Sequence, residues 1–409
     1  MRLLLADRLP QQTLVDLEAR GHECVMEPGL SADDLPGRIA GFDVLVVRST
    51  KVGRAVFEAA DRLALVIRAG AGTNTIDTDA AAQHGVLVSN VPGRNAAAVA
   101  ELTMGLLLAI DRRIADNVAD LRNGQWDKQR YSKADGLLGS TMGVIGLGSI
   151  GLAVAERASA FGIHVQALAK DGRPPHVAAR AEELGVTMCD SVPQLLASSD
   201  IVTLHVPASE STRHLVDADF LGRMRKGAIL LNTSRGDVVD ETALLAALDA
   251  GDVRAGLDVF ADEPGFGAGE WDSPLGRHPA VVATHHIGAS TDQAQRAIAA
   301  GVTDIVDAFV AGEVRHCVNL DPGRLGSMTL TVRHRDRVGV LAQVLELLRA
   351  EGLNVEHMEN RVFRGGEAAV AAIDVAGETS EKLLATLREV PDVLGVSQAE
   401  LGTNGGRRP

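Results

Sequence analysis

Aromatic side chains are scarce in this 409-residue chain: two Trp, one Tyr and eight Phe make up 3% of it. Its 46% hydrophobic content is therefore mostly aliphatic and Ala, alongside 43 Gly, the usage of an α/β protein. Cysteine is nearly absent. Cys24, Cys189 and Cys317 lie far apart and outside metal-ligand spacing, so neither a disulfide framework nor a zinc site is supported, and a reducing cytoplasm fits. No stretch approaches the length of an apolar membrane span, and the opening Met-Arg-Leu-Leu-Leu-Ala-Asp holds too short an apolar run for a signal-peptide core. A cytoplasmic protein without a membrane partner is expected. Positive charge is in deficit, 40 Lys and Arg against 54 Asp and Glu, for a formal net charge of -14. That balance disfavours nucleic acid as a general partner while permitting a local basic pocket for an anionic substrate.

Length alone predicts two to three domains. Short apolar runs alternate with helical segments in the first third, at Leu3 to Ala6, Gln11 to Arg20, Val44 to Arg48, Leu65 to Arg68 and Val86 to Ser89, which predicts a small parallel α/β unit. Helical spacing from Ala97 to Asp120 predicts one long linking helix. A second series follows, with strands expected at Met142 to Ile145, Ile163 to Leu168, Ile201 to His205, Ala228 to Asn232, Ala255 to Asp258 and Val281 to Thr284, as in a doubly wound sheet. Another long helix is expected over Gln293 to Ala311, then a boundary at Asp321-Pro322-Gly323. Beyond it, strand, helix, strand, strand, helix and strand patterns run from Met328 to Leu401, a ferredoxin-like βαββαβ order, and Thr403 to Pro409 read as a flexible tail. The fold expected is α/β, with two doubly wound parallel-sheet domains and a ferredoxin-like third. Residues 1–97 and 286–320 would form a discontinuous first domain, 98–285 the second and 326–402 the third.

Gly146-Leu147-Gly148-Ser149-Ile150-Gly151 has the G-x-G-x-x-G spacing. It follows a strand and opens a helix, so free N–H groups at that helix start can meet a pyrophosphate. The next checkpoint is the end of the second strand, where an acidic side chain normally receives the ribose hydroxyls of NAD. Here Ala169-Lys170-Asp171-Gly172-Arg173 occupies it. Asp171 reaching back would give NAD, whereas Lys170 and Arg173 around a 2′-phosphate would give NADP.

Three further strand ends carry ionisable residues: Asn232-Thr233-Ser234-Arg235-Gly236, Asp258-Val259-Phe260-Ala261-Asp262-Glu263-Pro264 and Thr284-His285-His286-Ile287-Gly288. Oxidising a 2-hydroxy acid at a nicotinamide needs a cation for the carboxylate, a proton acceptor for the carbinol and a partner that holds that acceptor. Arg, His and Glu supply these parts. With the glycine turn, the segments resemble the D-isomer-specific 2-hydroxyacid dehydrogenases from about Leu3 to Asn319. The resemblance implies a flavodoxin-like substrate domain, a Rossmann cofactor domain and NAD as cofactor. Arg235 is then the substrate ligand, His286 the proton acceptor, and Glu263 its partner, favouring the charged imidazole. It also implies cofactor contacts at His205, Val206, Pro207 and Thr233, with Asp258 on the nicotinamide carboxamide. His285 stands where the family commonly has proline.

Within that family the chain most resembles the members that oxidise D-3-phosphoglycerate at the start of L-serine biosynthesis. A doubly anionic substrate calls for extra cations. The matching positions are Arg48, Ser49, Ala71, Gly72, Asn95, Gln295 and Lys128, the last reaching a phosphate, in some members from the neighbouring subunit. The third unit resembles an ACT domain, which pairs through its sheet and binds amino acids. His334, Asp336 and Asn354 match the serine-binding positions, with Val338 in place of the usual proline before Gly339. A homo-oligomer, dimer or tetramer, and a serine effector follow from the resemblance. Two alternatives stay open: an NADP-dependent glyoxylate or hydroxypyruvate reductase, which the Ala169 segment favours, and a corepressor-like NAD(H)-sensing protein, which Arg235, Glu263 and His286 argue against.

Overall fold

The computed structural model describes residues 1–264, 269–320 and 326–401. Met1–Asn319 forms one compact unit, and a second begins at Leu320. The first unit opens with β1 (Arg2–Leu5), β2 (Glu23–Met26), β3 (Val44–Val47), β4 (Leu65–Arg68) and β5 (Leu87–Asn90). All five are parallel, in the order β2-β1-β3-β4-β5. This is the flavodoxin-like order, which places functional groups at the carboxyl ends of the strands. β3 is buried along its whole Val-Leu-Val-Val length, as a strand covered on both faces must be. Strand β2 escapes sequence reading because it is an edge strand with no fully buried residue.

Where one long helix is expected, the chain builds two, Ala96–Asp111 and Ile114–Arg122. Arg113 takes the left-handed conformation, φ 49°, which interrupts the hydrogen-bond ladder between them. The first helix joins a core with Val144, Ile229 and Leu231, whereas the second buries none of its side chains.

A second parallel sheet contains β6 (Thr141–Ile145), β7 (His164–Leu168), β8 (Thr187–Cys189), β9 (Ile201–Leu204), β10 (Ala228–Asn232), β11 (Val253–Leu257) and β12 (Val281–Ala283). Its order, β12-β11-β10-β9-β6-β7-β8, reverses direction between β6 and β9, and that switch point opens a crevice at the strand ends. The helix Asp292–Val310 then carries the chain back to the first sheet, where Ile298, Val302, Ile305 and Val306 pack with Leu3, Leu5, Val46 and Ile67. Beyond it, Asn90 N–H donates to the His316 carbonyl and Val318 N–H to the Val88 carbonyl, laying residues 316–319 along β5.

The second unit has its own core, with Leu330, Val332, Val344, Leu348, Ile373 and Leu384 at its centre. Its strands are β13 (Met328–Arg335), β14 (Asn354–Val362), β15 (Ala368–Ala376) and β16 (Val393–Glu400), joined antiparallel in the order β14-β15-β13-β16. With helices Val340–Ala350 and Glu381–Glu389 the order is βαββαβ, ferredoxin-like as expected. The expected boundary turn Asp321-Pro322-Gly323, residue 402 and the tail 403–409 lie outside the described residues. Among the described residues no helix is long and apolar enough to cross a membrane, and no group of His, Cys, Asp and Glu could hold a metal ion.

Candidate active site

Gly146 ends β6 with φ 99°, and a Cβ there would strike the His205 carbonyl group. Gly151 lies equally tight against the Gly146 carbonyl. Gly148 differs: an added Cβ would meet no atom within 4 Å, so its open side is space that a side chain would fill. One glycine for the turn, one for close ligand approach and one for helix packing is the division that a pyrophosphate turn requires. Gly148 caps the 12-residue helix Ser149–Ala160, whose first N–H groups belong to Ser149, Ile150 and Gly151. Anion binding there is favoured by unpaired donors and the helix dipole, so these residues fit a nicotinamide dinucleotide.

Residues around the turn are set by the neighbouring strands. The half-buried His205 shares a 2.9 Å hydrogen bond between Nε2 and Thr203 Oγ1, while its buried Nδ1 has no partner. Burial pushes the His205 pKa down to about 3, so the ring is neutral. Val206 faces Gly146, and the carbonyl of exposed Pro207 accepts from the Thr212 hydroxyl at 2.6 Å. Thr233, buried, meets the Thr103 hydroxyl at 2.9 Å and so ties β10 to the helix Ala96–Asp111. At the end of β7, Ala169, Lys170 and Asp171 are exposed, and Arg173 folds back to donate to the Leu168 carbonyl at 2.6 Å.

Across the crevice the first sheet presents cations. Arg48 follows β3 and Arg68 closes β4, and both lie close enough to act on each other electrostatically, as does Arg235 beyond β10. Burial, followed by repulsion from Arg235 and Arg48 and opposed by Asp7, brings the Arg68 pKa down to about 10. Its Nε is buried without a hydrogen-bond partner. A buried guanidinium with an unused donor beside two more guanidiniums is an arrangement that an anion completes. The Arg235 guanidinium presses so closely on Gly72 that a Cβ there would clash with it, and burial lowers its pKa against the attraction of Glu263. Asn90 Nδ2 donates to the Ala71 carbonyl at 2.5 Å, holding the loop that carries Gly72. Asn95, half-buried before the helix Ala96–Asp111, has a buried Oδ1 with no partner.

Arg235 is held by its own strand end. Asn232 Nδ2 donates to the Arg235 carbonyl at 2.9 Å, and Asn232 Oδ1 receives the Ser234 N–H and hydroxyl. Beyond β12, His286 adopts φ 52° and its N–H donates to the Asp258 carbonyl at 2.8 Å. His286 Nδ1 lies 2.5 Å from Glu263 Oε1, which leaves Nε2 outside that bond. Asp258 is buried and accepts from Thr284 Oγ1 at 2.6 Å and from the Ile287 and Gly288 N–H groups, each at 2.9 Å. Its carboxylate thus shapes the histidine loop. Gln295 Nε2 supports the same loop by donating to the Ala289 carbonyl at 2.8 Å.

Lys128 is exposed and joined to this cluster by no hydrogen bond or ion pair among the described residues. The second unit departs further from expectation. His334, matched by resemblance to a serine-binding position, lies buried within β13, with Nδ1 against the Arg335 carbonyl at 2.7 Å and Nε2 against Asn360 Oδ1 at 3.2 Å. Both ring nitrogens are occupied within the sheet. Asp336 and Asn354 are exposed, but Arg335 pairs with Ala368 and Asn354 with Ala376, opposite ends of β15. At about 3.3 Å per residue they stand roughly 25 Å apart. The sequence reading also missed Arg68 and Asp7, although each is a charged residue at the end of an apolar strand run.

Residues 104–288 match the NAD-binding domain of the D-isomer specific 2-hydroxyacid dehydrogenases, and residues 328–392 match the ACT domain. The D-3-phosphoglycerate dehydrogenase of Methanocaldococcus jannaschii is 39% identical over 354 residues, covering 85% of this chain and 65% of that protein. The chain spans 59% to 65% of the length of the D-3-phosphoglycerate dehydrogenases of M. jannaschii, Mycobacterium leprae and Archaeoglobus fulgidus. The hydroxypyruvate reductase of Thermotoga maritima is 44% identical over 271 residues, 66% of this chain and 85% of that protein. Among solved structures, the TT0316 protein of Thermus thermophilus superposes with a TM-score of 0.68 at 33% identity, covering 78% of this chain and 100% of that one.

Proposed function

The chain belongs to the D-isomer specific 2-hydroxyacid dehydrogenase family, and on that footing we propose that it oxidises D-3-phosphoglycerate to 3-phosphohydroxypyruvate, the first step of L-serine biosynthesis. The observation that carries the proposal is the gathering of Arg48 and Arg68, from strand ends of the first sheet, with Arg235, which is in turn coupled to Glu263, the partner of His286. One arginine suffices for a carboxylate; three suit a substrate with a second anionic group. A bound NAD would supply the acceptor for the C2 hydrogen and both electrons of its bond. Arg235 holds the substrate carboxylate and the C2 oxygen, and Arg48 and Arg68 hold the phosphate with Ser49 and the Ala71-Gly72 loop. His286 receives the hydroxyl proton on Nε2 as the carbonyl forms. Glu263 fixes the ring through Nδ1 and stabilises the charge that the imidazole gains.

Residues 1–97 and 286–320 then act as the substrate domain and 98–285 as the cofactor domain. The ACT unit, 326–402, is regulatory, with L-serine as its effector. Because Asp336 and Asn354 mark opposite ends of one sheet, an effector site using both needs two chains, and Lys128 likewise serves a neighbouring copy in a homo-oligomer. Steady-state assays with 3-phosphoglycerate, D-glycerate, lactate and 2-hydroxyglutarate, with NAD and with and without serine, test the proposal. Turnover of another acid without turnover of the phosphorylated one overturns it. A second reading, a glyoxylate or hydroxypyruvate reductase preferring NADP, is favoured by Ala169, which offers no carboxylate to the ribose, and by the T. maritima relative. The same panel run with NADPH decides between them.

A further inference from the structure

We propose that Asp7 is a positioning residue for anion recognition: its carboxylate shapes the Arg48-Ser49-Thr50 loop and supplies counter-charge to the neighbouring Arg68 before substrate arrives. The inference rests on reading those arginines as the substrate's ligands.

Asp7 follows β1, whose last hydrogen bond runs from Ala6 N–H to the Val46 carbonyl. The strand is therefore registered on β3 up to the residue before Asp7. Asp7 Oδ2 then receives three consecutive backbone N–H groups, from Arg48 at 2.6 Å, Ser49 at 3.1 Å and Thr50 at 3.1 Å, and Oδ1 receives the Ser49 hydroxyl at 3.1 Å. Successive N–H groups converging on one point form a concave anion nest, and here the protein fills the nest with its own carboxylate. The substrate anion is consequently left to the side chains that the nest aims, Arg48 first among them. Burial by itself favours the neutral acid, but the hydrogen bonds from Arg48, Thr50 and Ser49 hold the Asp7 pKa below its ordinary value, so the group is charged. Its charge favours the Arg68 guanidinium, against the repulsion from Arg235 and Arg48. One carboxylate thus acts on both parts of the cationic site, through the backbone on Arg48 and through space on Arg68.

Asp7→Asn keeps the shape, removes the charge and leaves one oxygen to accept where two did. Expected for D7N in the full chain is a KM for 3-phosphoglycerate raised roughly 10- to 100-fold, the loss of one to two charge-assisted hydrogen bonds. The kcat should stay within about threefold and the NADH dissociation constant, read by fluorescence, within about twofold. Protection of the cofactor-free protein from thermal unfolding by inorganic phosphate should weaken in parallel, a readout independent of turnover. D7E, which restores the charge at a displaced position, should recover part of the KM. Unchanged KM with reduced kcat overturns the positioning role, as does equal loss of NADH and substrate affinity. If D7N does not fold, the same split measured on D7E decides, and a wild-type KM there overturns the proposal. Should the wild type use a different 2-hydroxy acid, the substrate assignment falls alone, and the KM and kcat comparison is made on that acid.

Discussion

Replacing Arg68 with methionine should make the ligand-free protein more stable and the enzyme worse. A guanidinium whose pKa burial brings down to about 10 is disfavoured in its charged form by roughly 3 kcal/mol, at about 1.4 kcal/mol per pKa unit. Because the folded-state value is the lower one, this penalty is fully present below about pH 10 and fades only at still higher pH, so it applies unchanged at neutral pH. Methionine removes the charge and the unpartnered Nε while retaining most of the buried stem. Imperfect packing takes back part of the gain, leaving an expected increase of about 1 to 2 kcal/mol in the free energy of urea unfolding. The same change deletes a buried donor to the substrate phosphate, worth about 1.5 to 3 kcal/mol, so KM for 3-phosphoglycerate should rise roughly 10- to 150-fold. Inorganic phosphate should stabilise the wild type more than R68M. A destabilised R68M with wild-type KM would refute the claim that Arg68 is a strained, unpaired cation held for an anion.

His286→Ala should lower kcat by roughly 100- to 10,000-fold while NADH binding, measured by fluorescence titration, stays near the wild type. Asp258→Asn removes the charge that receives the Thr284 hydroxyl and the Ile287 and Gly288 N–H groups, and should cost about 1 to 3 kcal/mol in thermal or urea stability together with a fall in kcat. His205 gives a pH signature. Its folded-state pKa of about 3 lies below the 6.5 of the unfolded chain, so its contribution is complete above pH 6.5. It is lost as the pH falls toward 3, by about 1.4 kcal/mol per pH unit. Urea titrations at pH 7.5 and 5.5 should show about 1.4 kcal/mol of pH sensitivity in the wild type that is missing from His205→Gln.

Strand periodicity made much of the fold legible, because buried parallel strands such as Val44–Val47 and Ala228–Asn232 are uninterrupted apolar runs. It failed at β2 and β8, whose edge positions relax that pattern, and at Arg113, where one left-handed residue divides a segment whose apolar spacing continues through it. The catalytic trio was legible because Arg235, Glu263 and His286 each follow a strand end within a long motif. Arg68 and Asp7 were not, since one charged residue after an apolar run looks like the start of a solvated loop until the neighbouring strand ends are in place. His334 shows the opposite failure. A residue type suited to ligand binding turns out to set both ring nitrogens against oxygens inside its own sheet.

The central claim, that the arginine cluster recognises a second anionic group on a 2-hydroxy acid, is tested most directly by the ratio of kcat/KM for 3-phosphoglycerate to that for D-glycerate with NAD. Two charge-assisted contacts to the phosphate should set it at about 100-fold or more in the wild type, and R68M should reduce it at least tenfold. A ratio near one, or one that R68M leaves unchanged, contradicts the account.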